Sequence, residues 1–95
     1  MDANQTYGRP IAGASVKVAY TGTAGTTTAL PSTTGTVRLL STTDCFVEIG
    51  LSPTAVADTG LYLRGYVPEY FEAGPNSKVS AIQVSSAGTI YVTPF

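Results

Sequence analysis

The stretch "KVSAIQVSSAGTIYVT", Lys78–Thr93, decides the fold class. Two runs rich in β-branched residues flank the four small residues "SSAG", the pattern of a β-hairpin with a short loop. In the first run Val79 and Ala81 fall on one face, and Ile82 and Val84 on the other. A strand apolar on both faces is central in its sheet or covered by a neighbouring subunit. In the second run Tyr91 points away from Ile90 and Val92, because successive side chains alternate.

Working outward, "TVRLL" and "CFVEIG" flank "STTD", again the length of a hairpin loop. Cys45, Val47 and Ile49 share one face, with Phe46 and Glu48 opposite. "SVKVAY" alternates in the same way, with Val16, Val18 and Tyr20 against Lys17 and Ala19. The Thr-rich run Thr26 to Leu30 reads as another strand, stopped by Pro31, which has no donor for a continuing ladder. "LYLRGYVP" is a short extended segment ending at Pro68. In "VPEYF" Pro68 is expected to turn the chain at a corner, with Tyr70 and Phe71 on opposite sides and one ring packed inward. Leu51 to Gly60 form a loop, in which "PTAVAD" suits a single helical turn capped by Ser52 and begun by Pro53. Residues 1–14 are polar, with Gly8, Pro10 and Gly13, and have neither strand nor helix period.

These segments predict an all-β fold: an extended N-terminal arm over 1–14, and a single small domain over 15–95. Roughly seven or eight short strands separated by turn signals make that domain a β-sandwich or jelly-roll-like barrel.

The chain has 95 residues, enough for one modest core, and only 12% are charged while 43% are hydrophobic. The net charge is −1, and Arg9, Lys17, Arg38, Arg64 and Lys78 are scattered singly, which argues against nucleic-acid binding. The opening residues carry no basic segment followed by an apolar one, and no window reaches the length of a membrane span. Synthesis in the cytoplasm, away from membranes, is the expectation. Cys45 is the single cysteine and there is no histidine, so neither a disulfide nor a Cys/His metal site is expected, and Cys45 reads as a small buried hydrophobe.

Glu69 and Glu72 are the one pair that invites a two-carboxylate mechanism, which needs both groups about 5 to 10 Å apart across one bond. In an extended segment, residues three apart face opposite ways, so this pair is expected to be solvated. Asp2, Asp44, Glu48 and Asp58 do not form a calcium loop. Gly22, Gly25 and Gly35 lack the Lys-Ser/Thr of a phosphate loop, and the serines have no histidine base. No catalytic residue, cofactor or metal is therefore expected. The aromatics remain: Tyr62, Tyr66, Tyr70, Phe71 and Tyr91 concentrate in the C-terminal half, where they serve as core, as anchors of an interface, or, for Tyr62, Tyr66 and Tyr91, as platforms for carbohydrate.

From "CFVEIG" through "PTA" to "VPEYFEAGPNSKVSAIQVSSAGTIYVT", the C-terminal half resembles a set of small structural proteins of tailed bacteriophages. These pair a Cys-containing strand and a "PTA" loop with a Pro-Glu-Tyr-Phe corner, a Pro-centred turn and a "KVSAIQ" strand. The N-terminal half matches only in its Gly/Thr-rich character. The resemblance implies a non-enzymatic virion protein that decorates or cements the outer capsid surface. Such proteins commonly fold as β-sandwich or jelly-roll modules, are often trimers, and bridge capsomers of the major capsid protein. It also leaves open a carbohydrate- or receptor-binding module of a head or tail fibre. On this reading the partner interface involves Tyr7 and Arg9 of the arm together with Phe46, Tyr66, Tyr70, Phe71 and Tyr91.

Overall fold

The computed structural model describes residues 9–95, and all its regular structure is β. The strands are β1 (Val16–Tyr20), β2 (Gly25–Thr26), β3 (Thr36–Ser41), β4 (Cys45–Gly50), β5 (Leu61–Leu63), β6 (Glu69–Glu72), β7 (Lys78–Gln83) and β8 (Gly88–Pro94). They form two antiparallel four-stranded sheets, a first of order β1-β8-β3-β6 and a second of order β2-β7-β4-β5. The sheets pack face to face as a small β-sandwich. Most of the N-terminal arm expected over 1–14 lies outside the described residues. Its described end is tied to β8, where the Ile11 amide donates to the Pro94 carbonyl at 2.8 Å.

The pairing is nested. β1 lies against β8, β2 against β7, β3 against β6 and β4 against β5, as if one long hairpin had been folded at the β4–β5 connection. Two further ladders, β3·β8 and β4·β7, join the two arms of that hairpin within each sheet. Every connection except β4–β5 therefore passes from one sheet to the other.

The core follows from the alternation. Val37, Leu39, Ile90 and Val92 from the first sheet face Cys45, Val47, Val79, Ala81 and Leu63 from the second, all buried, with Tyr20 and Leu30 beside them. Each aliphatic side chain so buried contributes about 1.5–3 kcal/mol.

Both expected hairpins are overturned. β3 and β4 lie in different sheets, as do β7 and β8. Their links, 42–44 and 84–87, are long enough to bridge two sheets about 10 Å apart at roughly 3.3 Å per residue. Crossing is favoured because each strand's apolar face then meets the facing sheet, whereas an isolated two-stranded hairpin leaves one side of that face bare. Gly88 shows how tight the β7–β8 crossing is. A Cβ there would sit 2.5 Å from Thr43 Oγ1 and 2.7 Å from the Tyr20 hydroxyl. That hydroxyl donates to the Thr43 carbonyl at 2.8 Å and accepts from its amide at 3.3 Å, pinning the β3–β4 link beside it.

Three local expectations also change. The strand expected over Thr26 to Leu30 pairs regularly only at Gly25–Thr26, because the Thr27 side chain accepts the Val79 amide at 3.0 Å in place of a backbone carbonyl. The helical turn expected at "PTAVAD" is absent. Instead the Ala55 amide donates to Ser80 Oγ at 2.9 Å, which draws the segment across the outer face of β7, and Asp58 turns it back with a positive φ of 69°. The "VPEYF" corner is an edge strand, β6, entered from Pro68. As expected, Phe71 packs partly against the core while Tyr70 faces outward against the Phe95 ring.

Candidate functional site

The strand directions put four links at one end of the sandwich: 21–24, 42–44, 64–68 and 84–87. Asp44 organises this end. Its Oδ2 accepts the Tyr62 hydroxyl at 2.6 Å and its Oδ1 accepts the Gly65 amide at 2.8 Å. The Gly65 hydrogen bond, then the Tyr62 hydroxyl and the Arg64 charge, hold the Asp44 carboxyl below its ordinary value, and the same carboxylate pushes the Tyr62 phenol up. One residue on, the Tyr66 amide donates to the Ser41 carbonyl at 2.7 Å. Tyr66 adopts a positive φ of 61° and is 71% exposed. A left-handed backbone is costly for a bulky residue, so this pinned turn holds Tyr66 outward against its own preference.

The outer face of the first sheet carries a different constellation. Cross-strand neighbours share a face, so the register places Lys17, Tyr91 and Leu40 in one row and Thr93, Arg38 and Tyr70 in the next. Ser15 joins the second row through its hydroxyl, 3.4 Å from that of Thr93. Ser15, Lys17, Arg38, Leu40, Tyr91 and Thr93 line an open depression of about 480 Å³. Two cations therefore flank a floor of one tyrosine and one leucine, and among the described residues neither cation is in an ion pair.

The outer face of the second sheet is partly covered by its own chain, over Ser80. Phe46 lies between Tyr62 and Ile82 in the register and meets the Tyr62 ring edge-on at 5.7 Å. Beside this row the 51–60 loop buries Pro53 and Ala55 over Ser80, which also accepts the Thr26 hydroxyl at 3.2 Å.

The residues singled out in the sequence are thus dispersed. Tyr62 and Tyr66 belong to the Asp44 end, whereas Tyr91 lies on the opposite outer face, so the three do not form one platform. Tyr70 shares the first sheet's outer face with Tyr91, Phe71 turns inward, Phe46 is half covered, and Arg9 is exposed. Tyr7 lies outside the described residues. Glu69 and Glu72 lie on opposite faces of β6, because they are three apart in an extended strand. Cys45 is buried, and burial pushes its thiol up. No group of three or more potential metal ligands occurs among the described residues. No helix among them is long and apolar enough to cross a membrane.

Two groupings escaped the sequence. Lys17 and Arg38 are 21 positions apart and meet only because β8 lies between β1 and β3. Asp44 and Tyr62 meet through the β4·β5 ladder. Alternation in "SVKVAY" did place Lys17 outward, but nothing local identified its neighbours. Compared with protein-family models, curated proteins and solved structures, the chain finds no match in any of the three.

Proposed function

We propose that this chain is a jelly-roll structural protein of a phage virion, which binds the major capsid protein on the outer capsid surface and cements neighbouring capsomers. The observation that carries this reading is the nested pairing, β1 with β8 through β4 with β5, rolled into two sheets. Such nesting supports a jelly-roll reading, an architecture recurrent in viral capsid and lectin domains. It agrees with the fold implied by the resemblance of the C-terminal half to phage structural proteins.

The role is adhesive and non-enzymatic. Among the described residues, five of the nine large exposed apolar side chains, Leu61, Tyr62, Tyr66, Val67 and Tyr70, lie on the edge strands β5 and β6 or on the link between them. Tyrosines presented on a stiff frame anchor an interface at low entropic cost. Self-association as a trimer would place copies of these residues around a shared axis, and repetition over the shell lattice would supply avidity.

Co-sedimentation of the purified chain with phage heads that lack it tests the proposal. Saturable uptake of hundreds of copies per head is the expected result. Absence of uptake by heads, with binding to tails or fibres instead, would overturn the capsid role in favour of a receptor-binding module.

A further inference from the structure

We infer that the depression on the outer face of the first sheet is a binding site for a carboxylated sugar residue, a uronate or a sialate. Its volume of about 480 Å³ lies within the roughly 300–1,000 Å³ of small-ligand sites, and its openness suits one residue of a longer glycan.

The chemistry of the lining selects the ligand class. Lys17 and Arg38 approach from the two strands flanking β8, offset by two residues along it, so an anion above Tyr91 and Thr93 is within reach of both side chains. Arg38 is half-buried, and its planar guanidinium is the group suited to grip a carboxylate through two parallel hydrogen bonds. Tyr91, 43% exposed, with Leu40 beside it, offers its ring as a surface for the apolar face of a sugar. Ser15 and Thr93 supply hydroxyls for those of the sugar.

An acidic peptide is the natural rival, and the topology disfavours it. β8 is flanked on both sides, so its backbone groups are committed to the β1 and β3 ladders. A peptide laid across β8 would find the strand's backbone groups already used, the sheet's edge strands being β1 and β6, and would leave its own amides unpaired there. A compact ligand that carries its own carboxylate and hydroxyls meets the side chains on offer.

This site goes beyond the capsid role, and sugar binding and head uptake are measured separately and fail separately. The full chain would be titrated with trigalacturonate and with sialyllactose, observed by NMR of the Tyr91 and Leu40 resonances. Neutral galactotriose and a short glutamate-containing peptide serve as comparison ligands. Saturable binding of at least one acidic sugar is expected, weakened by raising salt from about 0.05 to about 0.5 M, which shortens the screening length. Lys17→Ala and Arg38→Gln should each weaken binding by about tenfold, the order expected for losing one charge-assisted contact. Tyr66→Ala, at the other site, should leave it unchanged. Lys17 is exposed, so its variant remains informative if Arg38→Gln does not fold. The inference is overturned if neither acidic sugar saturates, if galactotriose binds equally well, if only the peptide binds, or if Lys17→Ala binds like the parent.

Discussion

The two outer faces of the sandwich have been treated differently by the same chain. The second sheet is roofed by its own β4–β5 loop, which buries Pro53 and Ala55 and ties the Ala55 amide to Ser80. The first sheet has no such roof among the described residues, and it presents Tyr91, Leu40 and two cations around a depression. Ser80 is fully buried at a position whose strand alternation points it outward, and it is tolerated there because it accepts two hydrogen bonds. Lys17 and Arg38 keep their charges at the surface, where water solvates them until a ligand arrives. A covered face is read through stability, and an open face through binding.

The largest effect is expected in the core that both faces share. Leu39→Ala should destabilise the fold by about 2–5 kcal/mol through lost burial and a residual cavity, seen as a lower urea midpoint with little change in slope. A loss below about 1 kcal/mol would mean the two sheets are less closely packed than a core of this kind requires.

Removing the tie of the roof comes next. Ser80→Ala should cost about 1–3 kcal/mol, because the buried Ala55 amide loses its acceptor, and hydrogen exchange at Ala55 should quicken. Unchanged exchange would erase the distinction between a roofed and an open face. At the tightly crossed end, Tyr20→Phe should cost about 0.5–1.5 kcal/mol by removing the hydroxyl that pins Thr43.

Alkaline pH probes the same buried end without a substitution. Burial raises the Cys45 thiol and the Tyr20 phenol above their ordinary values of 9.0 and 10.0. Between the unfolded and folded pKa values the folded chain holds more protons. Their contribution is therefore complete below pH 9 and is lost as the pH climbs through the raised values. Denaturant midpoints should fall over that range, and Cys45→Ala should remove the earlier part of the decline.

The smallest effect belongs to the open face. Lys17→Ala should change stability by no more than about 0.5 kcal/mol while weakening acidic-sugar binding. A larger loss of stability would show that Lys17 supports the fold and that the depression is part of the scaffold.

Much of the strand content was legible because alternation is a local property. Val16, Val18 and Tyr20 turn inward together, and Cys45 and Val47 are buried while Phe46 and Glu48 turn out, as the spacing alone required. The two supposed hairpins were not legible as crossings. "STTD" and "SSAG" have the same length and polarity whether a chain returns within one sheet or steps to the next, and the choice depends on which distant strand offers the matching apolar face. The missing helical turn has the same origin, since Ser80 captures the Ala55 amide from 25 positions away.

The site divides along that line. Sequence by itself determined an all-β chain, a buried Cys45, an outward Tyr91 and a Glu69/Glu72 pair split across a strand, because period-two geometry assigns each residue a side. Only the tertiary structure decided which outward residues are neighbours. Lys17 and Arg38 flank Tyr91 because β8, the last strand, inserts between β1 and β3, and that insertion reflects how the inner faces of eight strands bury one another.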